Sequence, residues 1–95
     1  MQFSSLSVIG LGYIGLPTAA VFASRKIKVI GVDVNKKAVD IINQGKIHIV
    51  EPDLDIAVHA AVTAGFLKAT TVAEPADAFI VAVPTPFRGD NHEPD

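Results

Sequence analysis

The six residues GLGYIG at positions 10–15 decide the fold class of this 95-residue chain. Their G-x-G-x-x-G spacing follows an apolar run at Ser5–Ile9, which predicts a β-strand, and it precedes a helical pattern of apolar residues. A glycine-rich turn between a strand and a helix is typical of a βαβ unit. The stretch therefore predicts an α/β fold whose first unit is a strand, a tight turn and a helix.

Apolar runs and helical patterns alternate along the rest of the chain. Short apolar runs predict strands at positions 5–9, 28–32, 66–70 and 78–83. Helical periodicity predicts helices from 14 to about 25, between 35 and 45, and at 53–64. The alternation predicts a Rossmann-type parallel sheet with helices on both faces, and residues 1–95 form only the N-terminal βαβ units of such a domain.

The second predicted helix has recognisable ends. Asn35 is a residue type that caps a helix N-terminus, and Gly45 is a residue type that follows a helix C-terminus. Between them, Ala38, Ile41 and Ile42 are predicted to form the buried face.

The last predicted strand, at 78–83, is apolar at every position. A strand buried on both faces usually lies inside a parallel sheet, with a partner strand on each edge. Only the polar stretch 87–95 follows, and an exposed edge this apolar is a liability in a complete protein. We therefore expect the chain to be the first part of a longer protein; a strand shielded by dimerisation is the alternative.

The composition excludes several classes of protein. Apolar residues make up 49% of the chain and the mean hydropathy is +0.41, which excludes a disordered chain. No apolar run approaches the roughly 18–20 residues of a membrane span, and no secretory signal is expected from the first residues. The chain has no cysteine, so it has no disulfide or thiolate nucleophile, and a cytoplasmic location is expected.

Charge is distributed unevenly along the chain. Residues 1–50 carry a net charge of +4 and residues 51–95 carry −6. The positive half suits a phosphate-bearing ligand, but its basic residues are scattered without interleaved aromatic residues, so nucleic acid is not an expected partner. The three histidines lack metal-ligand spacing, so no metal site is expected.

Each glycine of the turn has a predicted role. Gly10 makes the tight turn out of the strand, Gly12 lets a diphosphate approach the main chain, and Gly15 lets the helix pack closely. The helix N-terminus presents unpaired N–H groups and a partial positive charge to the phosphates. The N–H groups of Tyr13 and Ile14 are the predicted donors, and the Tyr13 ring is expected either to stack on the ligand or to cover the turn.

Asp33 follows the second strand, 18 residues after Gly15. In dinucleotide-binding folds an acidic residue about 20 residues after the turn accepts hydrogen bonds from the adenosine ribose. A carboxylate there repels the 2′-phosphate of NADP, so NAD is the expected cofactor. Lys36 and Lys37 leave NADP open, because a basic residue after this strand can hold that phosphate. A helix-capping acid before Asn35 is the alternative role.

Three stretches resemble a known family: VIGLGYIGLP at 8–17, GVDVN at 31–35 and VPTP at 83–86. Together they resemble the N-terminal domain of the nucleotide-sugar 6-dehydrogenases, the UDP-glucose/GDP-mannose dehydrogenase family. HIVEPDL at 48–54 and HEPD at 92–95 resemble the branch that acts on UDP-N-acetyl-D-mannosamine in bacterial surface-polysaccharide synthesis. The resemblance covers essentially this whole chain and about the first quarter of such an enzyme.

The resemblance implies an NAD-dependent oxidoreductase that converts the C6 alcohol of a UDP-sugar to the uronate. In the family a cysteine takes the aldehyde as a thiohemiacetal, which is oxidised to a thioester that water hydrolyses, and a lysine assists. Those groups lie far downstream in family members, so no catalytic residue is expected in this chain. The chain alone is expected to bind NAD without performing the reaction, and the full-length enzyme is expected to be a homo-oligomer.

The resemblance also implies particular cofactor contacts. Tyr13, Ile14 and Asp33 match the motif positions at the adenosine diphosphate end of NAD. Thr85 is added because loops that leave the carboxyl ends of parallel strands line the ligand crevice. The alternative for Thr85 is a turn residue held between two prolines.

The residues after the acid depart from the family pattern. Many family members have a basic residue five positions past the acid, where this chain has Ala38. Lys37 is the neighbouring residue that can take its place, so this adenosine contact stays open.

Two other functions share the same opening unit. One is the cofactor domain of another NAD-dependent hydroxyacid dehydrogenase, and the PTP segment at 84–86 disfavours it. The other is a non-catalytic module in which NAD binding changes assembly.

Overall fold

The computed structural model of the chain describes residues 4–82. All seven predicted elements form, in the predicted order. They are β1 (Ser5–Ile9), α1 (Gly15–Ser24), β2 (Lys28–Val32), α2 (Lys36–Asn43), α3 (Leu54–Ala64), β3 (Leu67–Thr70) and β4 (Ala78–Val81). Thr85 and the rest of the PTP segment lie outside the described residues.

The strands form one parallel sheet in the order β3-β2-β1-β4. The carboxyl ends of the strands lie in register, with Ile9 beside Val32 on one side and beside Val81 on the other. The order reverses after β3, because β4 pairs with the free side of β1 and not with β3. The predicted Rossmann-type sheet is therefore confirmed, and the glycine turn follows a strand that is central among residues 4–82.

The three described helices pack against one face of the sheet. This face carries alternate strand residues such as Leu6 and Val8, because successive side chains of a strand point to opposite faces. Together with residues of α1, α2 and α3 they form one buried apolar cluster. The cluster supplies the burial that holds the helices on the sheet.

The buried face of α2 differs from the prediction by one position. Ala38 and Ile42 are buried as expected, but Val39 is the third buried residue and Ile41 is only half-buried. The helix is rotated so that Val39, not Ile41, faces the core, since α2 packs against both β3 and α3.

Helices are predicted on both faces of the sheet, but within residues 4–82 no helix covers the opposite face, because all three pack in the same buried cluster. Ser7, Ile30 and Phe79 are neighbours on this face, and the buried Ser7 hydroxyl has no hydrogen-bond partner in the described part. β4 is an edge strand among residues 4–82, with side chains exposed by 52% at Phe79 and 67% at Val81. The second partner strand predicted for β4 is therefore not within the described residues.

Asp77 joins the amino ends of β1 and β4, at the edge opposite the glycine turn. Its Oδ2 accepts the Ser4 N–H at 2.7 Å, the Ser4 hydroxyl at 3.1 Å and the Ser5 N–H at 3.2 Å. These hydrogen bonds, the Ser4 N–H first, hold the pKa of Asp77 below its usual value. The contacts fasten the amino end of β1 to that of β4.

Candidate functional site

The glycine turn begins where β1 ends, beside the end of β2. Gly10 has a φ of +98°, a conformation that favours glycine, and its N–H donates to the Val32 carbonyl at 2.7 Å. The chain thus leaves β1 while still bonded to β2. The tight turn predicted at Gly10 is present.

Gly15 allows α1 to start directly against this turn. A Cβ at position 15 would lie 1.6 Å from the Gly10 carbonyl oxygen and 2.7 Å from the Gly10 carbonyl carbon. Both atoms belong to the main chain, so no side-chain rotation can relieve the overlap. Gly15 therefore permits the close packing predicted for it, against the turn itself.

Gly12 is different, because no atom of the described residues lies within 4 Å of the position its Cβ would take. Its φ is not among the positive values of the chain, so the backbone conformation does not require glycine either. Packing within residues 4–82 therefore gives no reason for glycine at this position. The open space above Gly12 is compatible with the predicted approach of a diphosphate to the main chain, which stays a prediction.

The N-terminus of α1 has no side-chain cap. Ile14 occupies the N-cap position, forms no capping hydrogen bond, and no acidic residue lies in the first turn. No acceptor among residues 4–82 takes the N–H groups of Gly12, Tyr13 or Ile14. The side chains of Tyr13 and Ile14 are 64% and 72% exposed. Three consecutive N–H groups and the positive end of the helix are thus open to an anion.

Asp33 lies at the end of β2, next to this turn. Its N–H donates to the Thr70 carbonyl at 3.0 Å, which fixes the residue between β1 and β3. Its Oδ2 accepts the Leu11 N–H at 2.9 Å and its Oδ1 accepts the Asn35 N–H at 2.9 Å. A carboxylate has about four lone-pair sites, so two remain for the hydroxyls of a ribose.

The contacts of Asp33 do not support its alternative role as a helix-capping acid. Asn35, not Asp33, caps α2, through hydrogen bonds from the N–H groups of Lys37 at 3.0 Å and Ala38 at 3.3 Å. The cap predicted at Asn35 is therefore present, and the Asp33 carboxylate faces the glycine turn.

Leu11, Gly31 and Val34 are not among the site residues predicted from the sequence. The Leu11 side chain is fully buried, and a Cβ at Gly31 would lie 2.8 and 2.9 Å from its two δ-carbons. Val34 is 92% exposed directly after Asp33, and gives the site an apolar surface. A glycine inside β2 and an apolar residue after an acid are the sequence features that could have indicated them.

The basic residues of α2 have separate positions. The Lys36 ammonium pairs with Asp40 at 3.1 Å, one helical turn further along α2. Ala38 is buried against the core, so position 38 contributes no charge to the site. Lys37 is exposed, and no ion pair is recorded for it among the described residues, so its predicted contact with adenosine stays open.

Residues 4–82 contain no group of three or more histidine, aspartate or glutamate side chains placed to hold a metal ion. The described helices are also too short or too polar to cross a membrane.

The arrangement fits the adenosine diphosphate half of a dinucleotide. The N–H groups of Gly12, Tyr13 and Ile14 suit diphosphate oxygens, and the free lone pairs of Asp33 suit ribose hydroxyls. The site offers main-chain donors and one carboxylate, which is the chemistry of binding and orientation.

Comparison with known proteins shows which family model this chain matches. Residues 4–95 match the model of the NAD-binding domain of the UDP-glucose/GDP-mannose dehydrogenase family. The match includes the glycine turn, Asp33 and the segment that holds Thr85.

Two curated relatives illustrate the sequence similarity. A UDP-N-acetyl-D-mannosamine dehydrogenase of Campylobacter jejuni is 76% identical over 93 residues, which cover 98% of this chain and 23% of that protein. An NDP-N-acetyl-D-galactosaminuronic acid dehydrogenase of Ralstonia nicotianae is 67% identical over 95 residues, which cover all of this chain and 22% of that protein. The chain thus spans less than a quarter of the length of these relatives.

A solved structure agrees with the fold. The UDP-N-acetyl-mannosamine dehydrogenase Cap5O of Staphylococcus aureus superposes with a TM-score of 0.92 at 44% identity, over 97% of this chain and 23% of that chain. The sheet of this chain therefore has the same architecture as the matching part of that structure.

Proposed function

Because the chain belongs to the UDP-glucose/GDP-mannose dehydrogenase family, and matches its NAD-binding domain, we propose that it is the N-terminal, cofactor-binding part of a UDP-sugar 6-dehydrogenase. The resemblance predicted from the three sequence stretches is confirmed by this match. Residues 1–95 would then form the first half of a Rossmann domain, with the remaining domains supplied by further chain.

The observation that carries the proposal is the open N-terminus of α1. The N–H groups of Gly12, Tyr13 and Ile14 have no acceptor in the described residues, and the missing side chain of Gly12 leaves space above the main chain. This combination suits a diphosphate group, and Asp33 lies where the adjoining ribose would be. In this assignment Gly10 and Gly15 shape the turn, and the N–H groups of Tyr13 and Ile14 donate to phosphate oxygens.

The contacts of Asp33 support NAD over NADP. A carboxylate at the ribose repels a 2′-phosphate, and Lys36 is paired with Asp40. Lys37 alone is left to offset that repulsion among the basic residues that follow the strand. Thr85 belongs to the proposed cofactor contacts by its place after β4, although it lies outside the described residues.

When bound, NAD supplies the hydride acceptor for oxidation of an alcohol. This chain's contribution would be to fix the adenosine half, so that the nicotinamide reaches the sugar bound by the rest of the enzyme. The proposed substrate is UDP-N-acetyl-D-mannosamine, after the relatives named for it, and the proposed product is the uronate. A cytoplasmic homo-oligomer is proposed for the full-length protein.

Other functions are less well supported. The family match disfavours a dehydrogenase of the hydroxyacid type. A relative of 67% identity is named for an N-acetyl-galactosaminuronic acid, so the sugar must be determined with the full-length protein. A non-catalytic sensing module would use the same NAD site, and absence of UDP-sugar oxidation by the full-length protein would favour it.

Binding of the cofactor can be tested by calorimetric titration of the chain with NADH and with NADPH. We expect binding of NADH, at least about tenfold weaker binding of NADPH, and weaker NADH binding by Asp33→Ala. Asp55→Ala is the matched control, because it removes one exposed carboxylate, on α3, and leaves the Lys36–Asp40 pair intact. Equal affinity of Asp33→Ala and the parent chain for NADH would contradict the assignment of Asp33.

A further inference from the structure

Asp33 contacts the protein before it contacts any ligand. Its two oxygens are joined to two main-chain N–H groups, Leu11 in the glycine turn and Asn35 in the turn before α2, each at 2.9 Å. We call these two hydrogen bonds the Asp33 bridge. The bridge spans 22 residues of sequence on its Leu11 side and connects the ends of β1 and β2.

Leu11 is held on two sides. Its side chain is fully buried against Gly31, where a Cβ would overlap its δ-carbons, and its N–H is held by Asp33. The preceding Gly10 N–H is bonded to the Val32 carbonyl. The main chain that enters Gly12 therefore has a fixed direction, and that direction determines where the N–H groups of Gly12, Tyr13 and Ile14 point.

We propose that Asp33 is a positioning residue for the diphosphate site, in addition to being the ribose acceptor. This rests on the proposed function. The carboxylate orients the glycine turn through the Leu11 N–H, so ribose binding and diphosphate binding depend on the same side chain. A change at position 33 made to alter cofactor choice would also disturb the diphosphate site.

The bridge requires a carboxylate in particular. Both backbone groups that reach Asp33 are donors, and a carboxylate is a side chain with two acceptor oxygens and no donor. In Asp33→Asn the amide has the same shape but only one oxygen, so its NH₂ must face one of the two N–H groups. One hydrogen bond of the bridge is then lost, and two donors oppose each other.

The first arm of the test needs no ligand. Amide hydrogen exchange is measured by NMR in the parent chain, in Asp33→Asn and in the control Asp40→Asn, which removes the same charge from an exposed pair. We expect exchange at the Leu11 amide to rise about tenfold or more in Asp33→Asn only. The Val29 amide, bonded to the Phe66 carbonyl in the sheet, reports on the fold and should not change.

The second arm separates the two roles of Asp33 with a pair of ligands. NAD is compared with an NAD analogue whose adenosine ribose lacks both hydroxyls, by calorimetric titration of the parent chain and of Asp33→Asn. If Asp33 only bound ribose, Asp33→Asn would leave the affinity for the analogue unchanged or raise it, because the variant also loses a negative charge near the diphosphate. We expect Asp33→Asn to lower the affinity for the analogue by roughly tenfold, because the N–H groups that donate to the diphosphate are no longer oriented.

The outcomes are distinct. Unchanged exchange at Leu11, or equal affinity of the analogue for parent chain and variant, overturns the positioning role while NAD binding by the parent chain upholds the proposed function. If the parent chain fails to bind NAD, the proposed function is refuted and the coupling is refuted with it. Should Asp33→Asn not fold, Asp33→Ala is measured in both arms with the same expected results.

Discussion

Two helices begin at the same edge of the sheet, and their N-termini are built differently. α2 is capped by Asn35, whose side chain accepts the N–H groups of Lys37 and Ala38. α1 starts at Ile14, which forms no side-chain cap. The described residues therefore satisfy the exposed donors of α2 and provide no acceptor for those at the start of α1.

The difference shows that helix ends can be assigned by asking what satisfies their N–H groups. At α2 the Asn35 side chain accepts these N–H groups, so that helix end has a structural role. At α1 no acceptor for these N–H groups lies within residues 4–82, and Gly12 leaves space where a side chain would otherwise lie. Four substitutions test whether this contrast between the two helix ends reflects function.

Gly15→Ala should remove the open end of α1 altogether. The new Cβ would lie 1.6 Å from the Gly10 carbonyl oxygen, so the helix and the turn must separate. We expect the free energy of unfolding to fall by about 3 kcal/mol, and NADH binding to be lost. Urea denaturation and calorimetry measure the two effects, and an unchanged denaturation midpoint would contradict the packing described for this turn.

Gly12→Ala should damage binding without damaging the fold, because its Cβ meets no atom of the described residues. We expect a change in unfolding free energy within about 0.5 kcal/mol, and NADH affinity at least about tenfold lower. The same two measurements apply. Parent-like affinity would show that no ligand group approaches the main chain at this position.

Ile14→Asp should make the N-terminus of α1 resemble that of α2. A carboxylate near the helix N-terminus is expected to raise the unfolding free energy by about 0.5–1 kcal/mol in the absence of ligand. It is also expected to lower the affinity for NADH roughly tenfold, because it repels the diphosphate. Ile14→Asn is the control, since it offers a capping oxygen without charge. Equal NADH affinity for parent, Asp and Asn chains would mean that the phosphates do not lie at α1.

Asn35→Ala should affect stability but hardly affinity. Loss of the α2 cap is expected to lower the unfolding free energy by about 1 kcal/mol. The main-chain N–H that bonds Asp33 remains, so NADH affinity should stay within about twofold of the parent value. A loss of affinity as large as that of Gly12→Ala would show that both helix ends take part in binding.

The regular elements were predictable from the sequence because local rules determine them. Ser5–Ile9 and Lys28–Val32 are short apolar runs that end at turn residues, and both form strands with the predicted bounds. The Asn35 cap depends on contacts within three residues, so a residue-type rule was enough to place it.

Features that depend on distant contacts were less predictable. Whether Val39 or Ile41 faces the core depends on the packing of α2 against both β3 and α3, which spacing along the helix does not specify. The partners of the apolar β4 depend on strand order, and one of its edges has no strand among residues 4–82. Such features require the assembled sheet.

The candidate site divides in the same way. The glycine positions and Asp33 follow from a motif, and the structure brings them together at one sheet edge. Leu11 and Gly31 were not predicted, because their contact joins β1 to β2 and has no pattern of its own in the sequence. Cofactor contact by any of these residues, and by Thr85, stays a prediction.

The most direct measurement is an NMR titration of the ¹⁵N-labelled chain with NAD, which compares the two helix ends in one experiment. We predict that the amides of Gly12, Tyr13 and Ile14 show the largest chemical-shift changes, because their N–H groups donate hydrogen bonds to phosphate oxygens. The amides of Lys37 and Ala38, already bonded to Asn35, should change less. Changes centred on Lys37 and Ala38, with the three turn amides unmoved, would contradict the account.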